Sequence, residues 1–138
     1  MIDVRISDQP LSTQESLLQV SDSAAGGTVQ FVGTVRNQTK GKRVVRLEFE
    51  AYEPMALKEL NKIAETIMDR WSASHVSIHH RIGTLDIKDV AVIISVATPH
   101  RKAAFEACQY AIDTLKETVP IWKKEIFEDG EVWVAAHP

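Results

Sequence analysis

The sequence is poor in the features that would place it in a special class. It carries one cysteine, Cys108, in 138 residues, so no disulfide can close within the chain. A single thiol at an apolar helical position fits a reducing compartment and a small core side chain. No apolar run approaches the roughly 20 residues that a bilayer span needs. The opening residues Met1-Ile2-Asp3-Val4-Arg5 show no basic stretch leading into an apolar one, so a cytoplasmic chain with neither membrane span nor leader is expected. Basic excess is missing too: the formal net charge is -3, which argues against general nucleic-acid or membrane-surface binding and confines any anion site to a local cluster. Gly26-Gly27 lacks the lysine and the spacing of a glycine-rich phosphate loop. The five histidines form no metal set, because His79 and His80 point to opposite strand faces and no cysteine or second histidine stands at ligand spacing. His75, His79, His80 and His137 read as structural, and no serine or cysteine nucleophile with a paired histidine is visible. Internal repeats, low-complexity tracts and linkers are absent from the sequence.

What is present is an ordinary globular balance, 44% hydrophobic and 25% charged, which at this length predicts a single domain over residues 1–138. Alternation of Ile2, Val4 and Ile6 predicts a short strand, and Ser12 followed by Glu15 has capping-box spacing for a short helix. Residues 28–36 alternate as a strand ending near Arg36, and residues 37–43, with Gly41, Lys40, Lys42 and Arg43, read as a mobile loop. Val45, Leu47, Phe49 and Ala51 are expected on the inner face of the next strand. Pro54 opens an amphipathic helix whose core stripe runs from Met55 through Leu60, Ile63, Ala64, Ile67 and Met68 to Trp71. Residues 75–82 form a strand with one polar face and a turn at Gly83. Residues 90–98 are a near-continuous apolar run, the pattern of a central strand buried on both faces. A helix follows with Ala104, Phe105, Cys108, Ile112 and Leu115 on one stripe, and it must end before Pro120. Asp129-Gly130 then joins two short strands in a hairpin.

The informative charges sit at the two ends of that last helix. A helix start carries partial positive charge and normally attracts Asp or Glu, yet here it meets His100, Arg101 and Lys102. Free backbone N–H groups and basic side chains together would bind an anion, a reading that weighs about evenly with a surface accident. At the other end, Lys116 and Lys123 flank Pro120 and Trp122. Desolvation beside apolar and aromatic groups would lower an ammonium pKa and make a proton donor, base or nucleophile. The plainer alternative, which spacing alone favours, has Lys116 complementing the helix dipole and Lys123 facing outward from a strand; Arg36 alone reads as a solvated strand-end charge.

Taken in order, Phe31-Val32-Gly33-Thr34-Val35-Arg36-Asn37, His80-Arg81-Ile82-Gly83, His100-Arg101 with Phe105-Glu106-Ala107, Leu115-Lys116, and Pro120-Ile121-Trp122-Lys123-Lys124-Glu125 resemble the large, catalytic subunit of molybdopterin synthase over roughly residues 27–135. The resemblance implies an α/β (α+β) hammerhead fold, mainly antiparallel sheet with packed helices and a C-terminal β-hairpin. It implies a homodimer that becomes a heterotetramer with a small ubiquitin-like sulfur-carrier subunit at each end, and no metal or organic cofactor. The carrier's Gly-Gly thiocarboxylate would give up sulfur to cyclic pyranopterin monophosphate, precursor Z, twice over to build the dithiolene of molybdopterin. By the same resemblance Lys116 and Lys123 match the family's catalytic lysines, while Arg36, His100 and Arg101 match its anion- and pterin-binding positions. Substrate-binding residues can there come from the neighbouring protomer. Many members continue beyond the point where this sequence ends, at Pro138, and contacts made by such a tail are not carried over. The rival reading is a non-catalytic module that binds a phosphorylated ligand or a ubiquitin-like tail through the same cations; a sensor of phosphate esters is a third, for which the sequence offers no effector domain.

Overall fold

The computed structural model describes residues 1–135, with backbone alone for residues 133–135, so His137 and Pro138 lie outside the described residues. The order of elements is β1 (Ile2–Ser7), α1 (Thr13–Gln19), β2 (Gly27–Thr34), β3 (Gln38–Thr39), β4 (Lys42–Ala51), α2 (Glu53–Trp71), β5 (His75–Arg81), β6 (Gly83–Asp86), β7 (Val90–Thr98), α3 (Arg101–Thr118), β8 (Ile121–Phe127) and β9 (Gly130–Ala135). The fold is α+β, with two sheets in which β1 against β5 is the parallel pairing and the other pairings are antiparallel.

The first sheet has the order β1-β5-β7-β2. Its centre is β7, where the apolar run of residues 90–98 is covered on both faces, as a central strand requires. One face carries Val76, Ile78, Ile94 and Val96 into the main core beneath α2 and α3. The other face is polar but not wet. Ser16 of α1 hydrogen-bonds Ser77 at 3.1 Å and Ser95 at 2.8 Å, and His79 Nε2 meets the Asp3 carboxylate at 2.7 Å. The polar face expected of residues 75–82 is therefore a buried seam in which polar groups satisfy one another, as burial demands. Ser12 caps α1 as its spacing foretold, its hydroxyl oxygen accepting from the Glu15 N–H at 3.1 Å.

The helical stripes show where periodicity misplaces a face. In α2 the buried residues are Ala56, Leu60, Ile63, Ala64 and Ile67, while Met55, read as part of the stripe, is exposed. In α3 they are Ala104, Ala107, Cys108, Ala111 and Leu115, and Phe105 is 62% exposed rather than core. Alanines on the buried side let α3 lie close to the sheet and α2, which no large side chain there would permit.

The second sheet runs β3-β4-β8-β9, with β6 also pairing β4. Residues 37–43 are not a loop throughout: Gln38–Thr39 pairs with Lys42 and Arg43, and Lys40 (φ 50°) and Gly41 (φ 80°) make the left-handed turn that a tight hairpin needs. A register shift between Val44 and Arg46 puts Val44 in the core and Val45 outside, correcting the expected inward Val45, while Leu47 and Phe49 point inward. Gly83, read as a turn, begins β6, whose Leu85 is fully buried. The β8–β9 hairpin forms as expected but turns one residue earlier, through Glu128-Asp129, with Gly130 already paired to Phe127.

Candidate functional site

Between the two sheets, at the C-terminal end of α3, lies a cleft of about 500 Å³. β2 supplies Phe31 through Thr34, β4 supplies Leu47 and Phe49, β5 supplies His80 and β7 supplies Ala91 and Val92. Into it reach Lys116 from the last turn of α3, Lys123 from β8 and Arg36 from just beyond β2. Three of the five residues singled out in the sequence thus share one cavity, although Arg36 is 80 residues from Lys116 in the chain. Apolar walls under a cationic rim suit a ligand with an anionic group and a flat or aliphatic body.

Each lysine is placed by its element. Leu115 is buried at the end of α3, which fixes the adjacent Lys116 at the mouth of the cleft, and Lys116 has no ion pair among the described residues. Strand alternation puts Ile121, Lys123 and Glu125 on the inner face of β8, so the alternative of an outward Lys123 is corrected. Lys123 Nζ stands 3.7 Å from Glu125 Oε1. Glu125 is 6% exposed, and its second oxygen, Oε2, is buried without a partner. Arg36 is exposed and, like Lys116, has no ion pair among the described residues. Gly33 keeps this wall thin: a Cβ there would fall 2.6 Å from Val92 Cγ1 and 3.2 Å from the Phe31 ring, both of which line the cleft.

His100 and Arg101 lie elsewhere. They open α3, and Lys116 stands 15 residues beyond Arg101, which at about 1.5 Å per residue separates the two by about 23 Å; neither His100 nor Arg101 lines this cleft. Their surroundings keep the electrostatic peculiarity read from the sequence. His100 is the N-cap without a side-chain cap bond, the first turn holds no acidic residue, and both side chains are exposed. β2 starts directly against this helix entrance: a Cβ on Gly27 would lie 2.8 Å from Arg101 Cα.

Two residues at or beside the cleft escaped the sequence reading. Glu125 closes one of the resemblance motifs but is given no role there; its spacing of two from Lys123 on a strand was the available signal. His80 was assigned a structural role, and its core-face alternation with Val76 and Ile78 does place it inside, yet its ring also forms part of the cleft lining. Burial pushes His80 down to about 4, only partly opposed by its hydrogen bond to the Arg81 carbonyl.

The model of the MoaE protein family matches residues 6–118. The chain is 52% identical to the molybdopterin synthase catalytic subunit of Bacillus subtilis (strain 168) over 129 residues, 94% of this chain and 82% of that protein. It is 53% identical to the subunit of the same name from Halalkalibacterium halodurans, over 94% of this chain and 83% of that one. Among solved structures, the crystal structure of molybdopterin synthase from Staphylococcus aureus superposes with a TM-score of 0.90 at 47% identity, covering 94% of each chain. A complex of subunits 1 and 2 of the molybdopterin-converting factor from Helicobacter pylori 26695 shares the fold at 22% identity and a TM-score of 0.76, covering 99% of this chain and 93% of that one.

Proposed function

The chain belongs to the MoaE protein family, and on that premise we propose that it is the catalytic subunit of a molybdopterin synthase, moving sulfur from the C-terminal thiocarboxylate of a small ubiquitin-like carrier to precursor Z. The observation that carries the reading is the convergence of Lys116, Lys123 and Arg36 on one apolar-walled cleft. In the transfer, the thiocarboxylate sulfur forms a bond to a substrate carbon, a substrate oxygen leaves as water once protonated, and hydrolysis of the bond between sulfur and the carrier's acyl carbon returns the carrier as a carboxylate. Such chemistry calls for proton donors beside the leaving oxygen and for cations that hold an anionic tail. Lys116, at the mouth, acts in proton transfer or transient acyl capture near the carrier terminus; Lys123, deeper and beside Glu125, positions or protonates substrate.

Arg36 serves the same cleft, and His100 and Arg101 hold the substrate phosphate from a neighbouring protomer. The distance along α3 supports that division, since one small substrate does not reach both ends of the helix. The active form is a homodimer of this chain, one hammerhead domain over residues 1–138 in each protomer, and with two carriers a heterotetramer; the reaction runs in the cytoplasm. Among the described residues no helix is long and apolar enough to cross a membrane. A module that only bound a phosphorylated ligand would need the helix entrance alone and would leave the lysine cleft without a task. Incubating the chain with thiocarboxylated carrier and precursor Z tests the reading: dithiolene product is expected, and its absence where both ligands bind overturns it.

A further inference from the structure

The cations of the cleft explain how it holds anions, but Lys116, Lys123 and Arg36 can only donate hydrogen bonds. A heterocyclic substrate also carries N–H and O–H groups, which need an acceptor once water is excluded. His80 is 3% exposed, and its ring is fixed on two sides: it packs edge-on against Phe49 with centroids 5.4 Å apart, and Nδ1 lies 2.8 Å from the Arg81 carbonyl oxygen. A carbonyl can only accept, so Nδ1 carries the proton and the neutral ring keeps a bare lone pair on Nε2. That nitrogen has no hydrogen bond among the described residues, and it is not among the polar atoms sealed from solvent without a partner, which are His75 Nδ1, Arg81 Nε and Glu125 Oε2. The ring's free edge therefore opens on the cleft that His80 lines.

We propose that His80 is a further substrate-binding residue of the cleft, its Nε2 accepting a hydrogen bond from an uncharged N–H or O–H donor of the small-molecule substrate. The inference rests on the reading of this cleft as the sulfur-transfer site. Among the described lining side chains His80 is the buried acceptor; the other acceptor, the Thr34 hydroxyl, belongs to an exposed residue. The cations thus select for charge and His80 for a donor at one position of the ring system, because a ligand without that donor would leave the nitrogen buried and unpaired.

The test is substrate binding and turnover by His80→Phe, which keeps a ring against Phe49 but has no acceptor, and by His80→Gln, whose amide oxygen can stand near the position of Nε2. His80→Phe is expected to weaken precursor Z binding by roughly 10- to 100-fold with carrier affinity within about twofold of wild type, and His80→Gln to recover most of the loss. A folded His80→Phe chain that binds precursor Z as wild type does, or that loses carrier and substrate equally, overturns the assignment. In the unaltered protein, the 15N resonance of His80 Nε2 should report an unprotonated nitrogen that shifts on saturation with precursor Z; an unmoved resonance overturns it as well, whatever the variants do. Failure of the wild-type chain to bind or turn over precursor Z would strike down the functional reading and this inference together, whereas wild-type turnover with an unaffected His80→Phe strikes down the inference alone.

Discussion

His80 enters the protein's energetics as well as its cleft. Its folded pKa of about 4 lies below the 6.5 of an exposed histidine, so the unfolded chain takes up the proton first as pH falls. Stability is untouched above about pH 6.5 and declines from there by about 1.4 kcal/mol per pH unit, a total loss of about 3 kcal/mol by pH 4. Urea unfolding at pH 7 and pH 4.5 should show most of that loss, and His80→Phe should flatten the curve in this window; a flat wild-type curve would contradict the buried neutral ring. Asp3 acts lower on the scale. Burial raises its pKa, but hydrogen bonds and charge from His79 and Arg5 outweigh burial and hold it below 3.8, so its contribution is present above 3.8 and lost as pH falls through its own folded value. Neither shift was legible in the sequence, since each depends on a partner more than 40 residues away or on enclosure by several elements. What alternation did show was that His79 and His80 take opposite faces, and they do: one joins the seam under α1, the other the cleft.

At the scale of elements, α3 governs both candidate regions, and its start is set by contact with β2. Gly27→Ala would place a methyl 2.8 Å from Arg101 Cα, between two backbones pinned by the sheet and by the helix. The expected cost is about 1–3 kcal/mol, read as a lowered melting temperature; an unchanged one would show that the entrance yields. Ser12→Ala, which removes the cap of α1, should cost about 1 kcal/mol. Chemical denaturation of that variant checks whether α1 holds the polar seam beneath it. Elements with strong local signals were readable: the apolar run of β7, the end of α3 ahead of Pro120, the capping spacing at Ser12 and, to within one residue, the β8–β9 hairpin. Those set by tertiary contacts were not. The bulge in β4 changes the phase of alternation at Val44 and Val45, β6 is four residues long with one buried side chain, and the inner face of α3 is built from alanines that a search for large apolar residues passes over in favour of Phe105.

At the scale of the molecule, the cleft is assembled from β2, β4, β5, β7, α3 and β8, so its existence could not be read from any one stretch of sequence. Spacing alone favoured plain roles for Lys116, Lys123 and Arg36, and the family resemblance picked them out, but their meeting place is a product of the two sheets closing over the end of α3. The separation of His100 from Lys116 along that helix gives the proposed dimer a direct test. Chains carrying His100→Ala, mixed with an equal amount of Lys116→Ala chains and allowed to exchange, should regain about a quarter of wild-type activity if each site draws on both protomers; no recovery would place both residues' functions within one chain. The most direct measurement of the central claim is a single-turnover assay of dithiolene formation from precursor Z and thiocarboxylated carrier, comparing wild type with Lys116→Ala and Lys123→Ala. If the cleft is where sulfur is transferred, both variants bind carrier, stay folded and slow by at least about 100-fold. Wild-type rates in both folded variants would contradict it.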